Sequence, residues 1–422
     1  MSPKYFSLGV ILLFLAVTFG AGVHAQAQAQ SSGTISLRDR VLMASKIYRV
    51  VSTFFPGLMQ SKFDAAYEEY LGRILKLEDR REFDLATMEF IADLHDGHSW
   101  FYDNWLDKNY GGPVGFISYP LSGKWAVVRS RLESIKVGDQ IVAIDDVPIE
   151  EFVARNRKYV SASSDRDAGL SFFDTPVIFP ERFSIKLSDG RKVTIDRKSD
   201  KKMDEVPAKT EGRWLTQGSV AYVKVPSFHG IETTAQALDY LKEFHDAKAV
   251  ILDVRGNPGR GEPLALQRRL MDKPYQMWME TNSMKGGMLL RNYSLAYPEH
   301  SEMTTSEAVV RPADPVYTGR LILLIDRGCS CACEDFVMPF KVAKRAELIG
   351  ENTAGTFSFT NFTAFDNGML LNIAAVRHTF PDGSRFEGVG IGPDVEVQTT
   401  VEDLKAGRDV VLTKALEIAG QR

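Results

Sequence analysis

The chain has 422 residues, enough for two or three domains with buried cores. A composition of 44% hydrophobic and 25% charged residues, with 33 Gly and 18 Pro, excludes a collagenous, low-complexity or disordered protein. Basic residues number 51 and acidic residues 55, so a formal charge of −4 offers no general attraction to nucleic acid or to an anionic membrane.

The N-terminus starts with Lys4, runs almost unbroken and apolar from Leu8 to Val17, and reaches the small-residue stretch Val23-His24-Ala25. This pattern predicts a secretory signal, residues 1–25, cut near Ala25; the apolar run is too short for a membrane span. No later stretch is apolar for long enough to cross a membrane. The mature chain is therefore expected to be periplasmic or secreted, with no membrane span.

Residues 36–110 read as a bundle of three short helices. Val41, Ala44, Tyr48 and Val51 share one face, Phe63, Tyr67, Tyr70 and Ile74 a second, and Leu85, Met88, Ile91 and Leu94 a third. From Gly111 the pattern changes to short strands rich in β-branched and aromatic residues between Gly, Asp and Ser turns, which predicts a β module over residues 111–200. The polar stretch from Arg197 to Gly212 reads as a linker. Residues 213–400 then alternate apolar strands with amphipathic helices, the pattern of an α/β domain, and residues 401–422 supply a C-terminal helix. The segment MLLNIAAV, residues 369–376, reads as a late strand.

Four segments carry candidate chemistry. DVRGNPGRG (253–261) follows a buried strand with a Gly-rich loop whose bare N–H groups suit an oxyanion or a phosphate, yet it matches neither a P-loop nor a dinucleotide fingerprint. LILLIDRGCSCACEDF (321–336) runs from a strand through a small-residue turn into a helix. A thiol at such a helix start is expected to have a lowered pKa. The three cysteines, Cys329, Cys331 and Cys333, fall within five residues, so no disulfide framework is expected, and a C-x-C-x-C run with no second ligand pair makes a poor zinc site. HDGHSWF (95–101) offers His98 on a loop as a base. FPDGSRFEGVGIGPDVEV (380–397) holds Glu387 after a hairpin-like turn.

In this order the segments resemble the C-terminal-processing (tail-specific) serine peptidase family, in its branch with a tricorn-type core. The matching motifs are DGHS (96–99), VGDQIVAIDDVPI (137–149), DVRGNPGRG, CACE (331–334), GENTAG (350–355) and EGVGIGPD (387–394). The resemblance implies an α/β fold with a ClpP/crotonase-like ββα spiral core, joined by the helical bundle and a PDZ-like β module. It implies peptide hydrolysis with His98 as general base and Glu387 among the polar residues that orient the site. Gly97 stands where some members have a serine. The N–H groups of Gly259 and Ala332 would form the oxyanion hole. No cofactor or metal is called for, and the partner is a polypeptide substrate, which a PDZ-like groove would hold by its C-terminus through strand addition, with the GPVGF loop (112–116) as the cradle.

The family's nucleophile is a serine, and its position here is Cys331. Three readings follow: a working thiol, a shift that brings Ser330 into place, or a disabled site that binds without cleaving. A thiolate beside a histidine is chemically competent. A one-residue shift would turn the side chain to the opposite face, which disfavours Ser330. Cys329 and Cys333 read as small packing residues.

Overall fold

The computed structural model describes residues 33–198, 209–283, 302–306 and 309–420. The expected signal segment lies outside them, as does the middle of the expected linker. The chain begins with α1 (Leu37–Phe54), α2 (Gln60–Ile74) and α3 (Arg80–Ala92), then β1 (Trp100–Asp103) and α4 (Asn104–Tyr110). Next come β2 (Phe116–Leu121), β3 (Lys124–Ser130), β4 (Gln140–Ile144), β5 (Val147–Pro148), α5 (Ile149–Asn156), α6 (Asp165–Ser171), β6 (Arg182–Leu187) and β7 (Lys192–Asp196). The α/β part holds β8 (Glu211–Thr216), β9 (Val220–Lys224), α7 (Ile231–Glu243), β10 (Ala249–Asp253), α8 (Leu264–Leu270), β11 (Met279–Ser283) and β12 (Glu302–Ser306). It continues with β13 (Arg320–Ile325), α9 (Ala332–Ala343), β14 (Glu347–Gly350), β15 (Thr360–Ala364), β16 (Met369–Ala374) and β17 (Val376–Thr379). The last elements are β18 (Val395–Glu396), α10 (Val401–Ala406) and α11 (Val410–Gly420).

Helices α1 and α3 start where the sequence supplies caps: Ser36 and Asp79 accept from the N–H of Asp39 at 3.1 Å and of Glu82 at 2.9 Å. Their inner faces agree with expectation at Ala44, Val51 and Ile91, which are buried, and depart from it elsewhere. Val41 is exposed, while Met43, Ala44, Ile47 and Val51 are buried; on α3 Phe83, Ala86 and Phe90 are buried and Leu85 and Met88 only partly so. The reason is that the bundle does not close on itself. It also covers β16, whose Met369, Leu371 and Ile373 belong to the same core.

The β module is a sheet ordered β2-β3-β4-β6-β7 around Phe116, Trp125, Phe172, Phe173, Phe179 and Phe183. Arg197 belongs to this module rather than to a linker. It is buried, and its guanidinium donates to the carbonyls of Tyr110, Gly112, Pro176, Phe179 and Pro180. At the other end β8 already begins at Glu211, so the expected linker is shortened from both sides.

The central sheet is ordered β18-β14-β13-β10-β9-β8, parallel except for β8 at its edge. Alternate residues face opposite layers, as the strand period requires. Val223, Val250, Leu252, Leu321 and Leu323 pack with Ala237, Leu266, Phe336 and Phe340 of α7, α8 and α9. Tyr222, Ile251, Ile322 and Leu324 pack with Val411, Ala415 and Ile418 of α11. The late strand differs from expectation: it is two strands broken at Ala375, and neither joins this sheet. β16 lies between β1 and β15, and β17 pairs with β11.

Candidate active site

In a parallel sheet the loops that follow adjacent strands emerge at the same edge, where ligands bind. β10 and β13 are such neighbours, so the Gly-rich loop after Asp253 meets the cysteine turn after Ile325. Asp326 ties them together by accepting from the N–H of Gly256 at 2.8 Å and of Gly328 at 2.9 Å. Asn257 does the same from the other side, its carbonyl accepting from Ser330 N–H at 3.1 Å.

Cys331 sits at the N-terminus of α9 with φ 56° and ψ −126°, a backbone that a residue with a Cβ adopts only under constraint. Its N–H donates to Thr356 O at 2.9 Å. The nearby backbone N–H groups of Ala332 and Arg260 favour the charged form of its sulfur. Burial nevertheless pushes the thiol above its ordinary range, and the nearby Glu334 and Asp335 add to the shift. The sequence predicted the reverse; here desolvation outweighs the helix start and the two donors.

Gly259 holds the expected place but not the expected donor role. Its N–H is spent on Asn257 Oδ1 at 2.8 Å, and it is the N–H of Arg260, at φ 67°, that together with Ala332 favours the charged sulfur. What Gly259 contributes is the absence of a side chain. A Cβ there would lie 2.5 Å from Ala332 N and 2.8 Å from Ser330 O. Ser330, one residue before the thiol, has its N–H on Asn257 and its carbonyl accepting from Cys333 N–H at 3.0 Å.

Cys329 and Cys333 are both fully buried in the core, as expected of small packing residues, with Cα atoms 5.4 Å apart across the turn and both sulfurs facing Val254 O.

His98 approaches from the loop after α3. Its Nδ1 shares a 2.9 Å hydrogen bond with Thr356 Oγ1, so Thr356 touches both the thiol residue and the histidine. Burial, reinforced by the neighbouring His378, lowers the imidazole to about 4, which leaves it neutral near pH 7. Glu387 reaches the same loop indirectly. It accepts from Ser163 Oγ, and Ser163 Oγ in turn accepts from Gly97 N–H at 2.8 Å.

The surroundings are acidic and dry. Burial raises Asp96 to about 6 and Glu334 to about 8, and raises Asp167 and Glu387 as well. Glu334 organises the loop after β14 by accepting from Thr353 Oγ1 at 2.5 Å, Gly355 N–H at 2.6 Å and Thr356 N–H at 2.9 Å. Arg166 of α6 clamps that loop to the β module through the carbonyls of Thr353, Ala354 and Val389. Among the described residues no three His, Cys, Asp or Glu side chains are grouped to hold a metal ion. The sequence reading missed Arg260, Thr356, Ser163 and Arg166; only Arg260 lay inside a segment it had marked for an oxyanion.

Comparison with known proteins bears on this arrangement. Residues 219–397 match the model of peptidase family S41. Carboxyl-terminal-processing peptidase 3, chloroplastic, of Arabidopsis thaliana is 26% identical over 196 residues, 46% of this chain and 34% of that protein. The carboxy-terminal processing protease CtpA of Bacillus subtilis (strain 168) is 23% identical over 351 residues, 80% of this chain and 69% of that protein. The chain thus spans about a third of the first relative's length and just over two thirds of the second's. Mature CPAF complexed with lactacystin superposes with a TM-score of 0.68 at 14% identity, covering 91% of this chain and 98% of that one. That likeness is one of fold, and it extends over the bundle, the β module and the spiral α/β core. The core of the chain, residues 219–397, is therefore similar to peptidase family S41 and to the carboxyl-terminal-processing peptidases within it.

Proposed function

We propose that the protein is an exported endopeptidase that cleaves polypeptides through a thioester on Cys331. The observation that carries this reading is the constrained backbone of Cys331 at the start of α9, tied through Thr356 to His98. In the reaction the sulfur attacks the peptide carbonyl carbon while His98 takes the thiol proton. The N–H groups of Ala332 and Arg260 receive the charge that develops on the carbonyl oxygen. His98 then protonates the departing amine as the tetrahedral intermediate collapses to the thioester. Water attacks the thioester, His98 takes its proton, and the thiol and the acid product are regenerated. Glu387 acts at one remove, through Ser163 and the N–H of Gly97.

Export rests on residues 1–25. The β module is the surface suited to holding an extended substrate, though capture by strand addition at β2 meets obstacles. Pro120 has no N–H to give, its carbonyl accepts from Arg327 at 2.7 Å, and α6 lies close enough that a Cβ on Gly169 would be 3.0 Å from the Pro120 ring. A second reading, peptide binding without cleavage, is favoured by the raised thiol and the lowered imidazole, since both oppose a thiolate–imidazolium pair.

The test is digestion of an unfolded polypeptide, read by mass spectrometry before and after treatment with iodoacetamide. New termini that vanish on alkylation of Cys331 support the peptidase. Intact substrate across a broad peptide set supports the binding protein.

A further inference from the structure

We propose that Thr356 is the positioning residue of this site, its hydroxyl orienting the His98 ring while its backbone holds the nucleophile. The inference rests on the peptidase reading given above. Thr356 is buried and fixed at three points: its carbonyl accepts from Cys331 N–H at 2.9 Å, its N–H donates to Glu334 Oε2 at 2.9 Å, and its Oγ1 meets His98 Nδ1 at 2.9 Å. One residue therefore ties the backbone of Cys331 to the imidazole of His98.

Glu387, which the resemblance placed among the polar residues that orient the site, does not touch the imidazole. Glu387 bonds Ser163 Oγ, and through it the backbone of Gly97, not the ring of His98. The hydroxyl also needs the space that Gly97 leaves open. A Cβ on residue 97 would lie 2.7 Å from Thr356 Oγ1, so the glycine at 97 and the threonine at 356 form a matched pair. Chemically, a hydroxyl that accepts from Nδ1–H holds the tautomer whose Nε2 carries the free lone pair, the form a general base requires. A neutral partner does this without adding charge, so it orients the ring without favouring the imidazolium.

The experiment compares Thr356→Val, which keeps the shape and removes the hydroxyl, with Thr356→Ser, which keeps the hydroxyl. Two rates are read for each: peptide turnover, and alkylation of Cys331 by iodoacetamide across pH. For Thr356→Val we expect kcat to fall ~10- to 100-fold with KM changed less than about threefold, as misorientation of a reacting group does, and alkylation near pH 7 to slow in parallel. For Thr356→Ser both rates are expected within about threefold of the wild type. A Val variant equal to the wild type in both rates overturns the proposal, as does a Ser variant, folded by its melting curve, that fails as badly as Val. If the wild type turns over no peptide, the peptidase reading fails, and the alkylation rates still decide whether the Thr356 hydroxyl governs the thiol through His98.

Discussion

A thiol at the start of a helix and a histidine beside it are individually ordinary; burial decides how they behave. The Cys331 thiol is raised and the His98 imidazole lowered to about 4, both by loss of water. Both groups are therefore neutral through the physiological range, and proton transfer has to accompany attack rather than precede it. The activity of such a site should lose its acid limb near pH 4, where His98 takes a proton, instead of near the ordinary imidazole value of 6.5. A kcat/KM profile measured from pH 3.5 to 8 checks this, and a half-maximal point near 6.5 would contradict the environment described for His98. Residue types at 98, 331 and 387 were legible because each sat in a motif with its own neighbours. The part played by Arg260 was not, since the path of that loop depends on two consecutive positive φ angles, 77° at Gly259 and 67° at Arg260. No composition rule reports that rotation.

At the scale of elements, the strand-to-helix turn was readable as soon as a buried apolar run met small residues and then an amphipathic stretch. The observed β13 and α9 begin and end within a residue or two of that reading. What could not be read was closeness between loops that are distant in sequence. Gly259 approaches Ala332 and Ser330 so nearly that Gly259→Ala would have to move backbone, not a flexible side chain. With φ at 77° the substitution also carries strain of about 1–3 kcal/mol. We expect Gly259→Ala to cost at least about tenfold in kcat together with a lower melting temperature; wild-type turnover with an unchanged melt would show that the turn tolerates the side chain. The exposure of Val41 and the partial burial of Leu85 were not legible for a related reason. Helical periodicity finds an apolar stripe but not its partner, and here the partner is β16 from the far end of the chain.

On the scale of the whole molecule, the unusual feature is the number of buried acids around one site. Asp96, Asp335 and Glu334 are raised to about 6, 7 and 8 from ordinary values of 3.8, 3.8 and 4.5, in each case chiefly by burial. Between pH 4 and 8 the folded chain thus binds more protons than the unfolded one, so stability is fully present at the acid side of this window and declines as pH rises. The urea midpoint should be higher at pH 5 than at pH 8. Asp335→Asn, which removes one of these groups, should flatten the difference. A midpoint that is unchanged or higher at pH 8 would contradict the burial of these carboxyls. The architecture itself, helical bundle, β module and spiral core, was legible because six motifs fell in a fixed order. The coupling between modules was not, because it runs through single side chains such as Arg166 and Ser163, which bond the β module to the loops of Thr353, Glu387 and Val389 and sit in no motif.

Whether Cys331 stands in for serine as the nucleophile is decided by turnover in two single variants. Peptide cleavage should be lost in Cys331→Ala and kept within about threefold in Ser330→Ala, which leaves the thiol at the start of α9 in place. Cleavage that survives Cys331→Ala and disappears in Ser330→Ala would contradict the account.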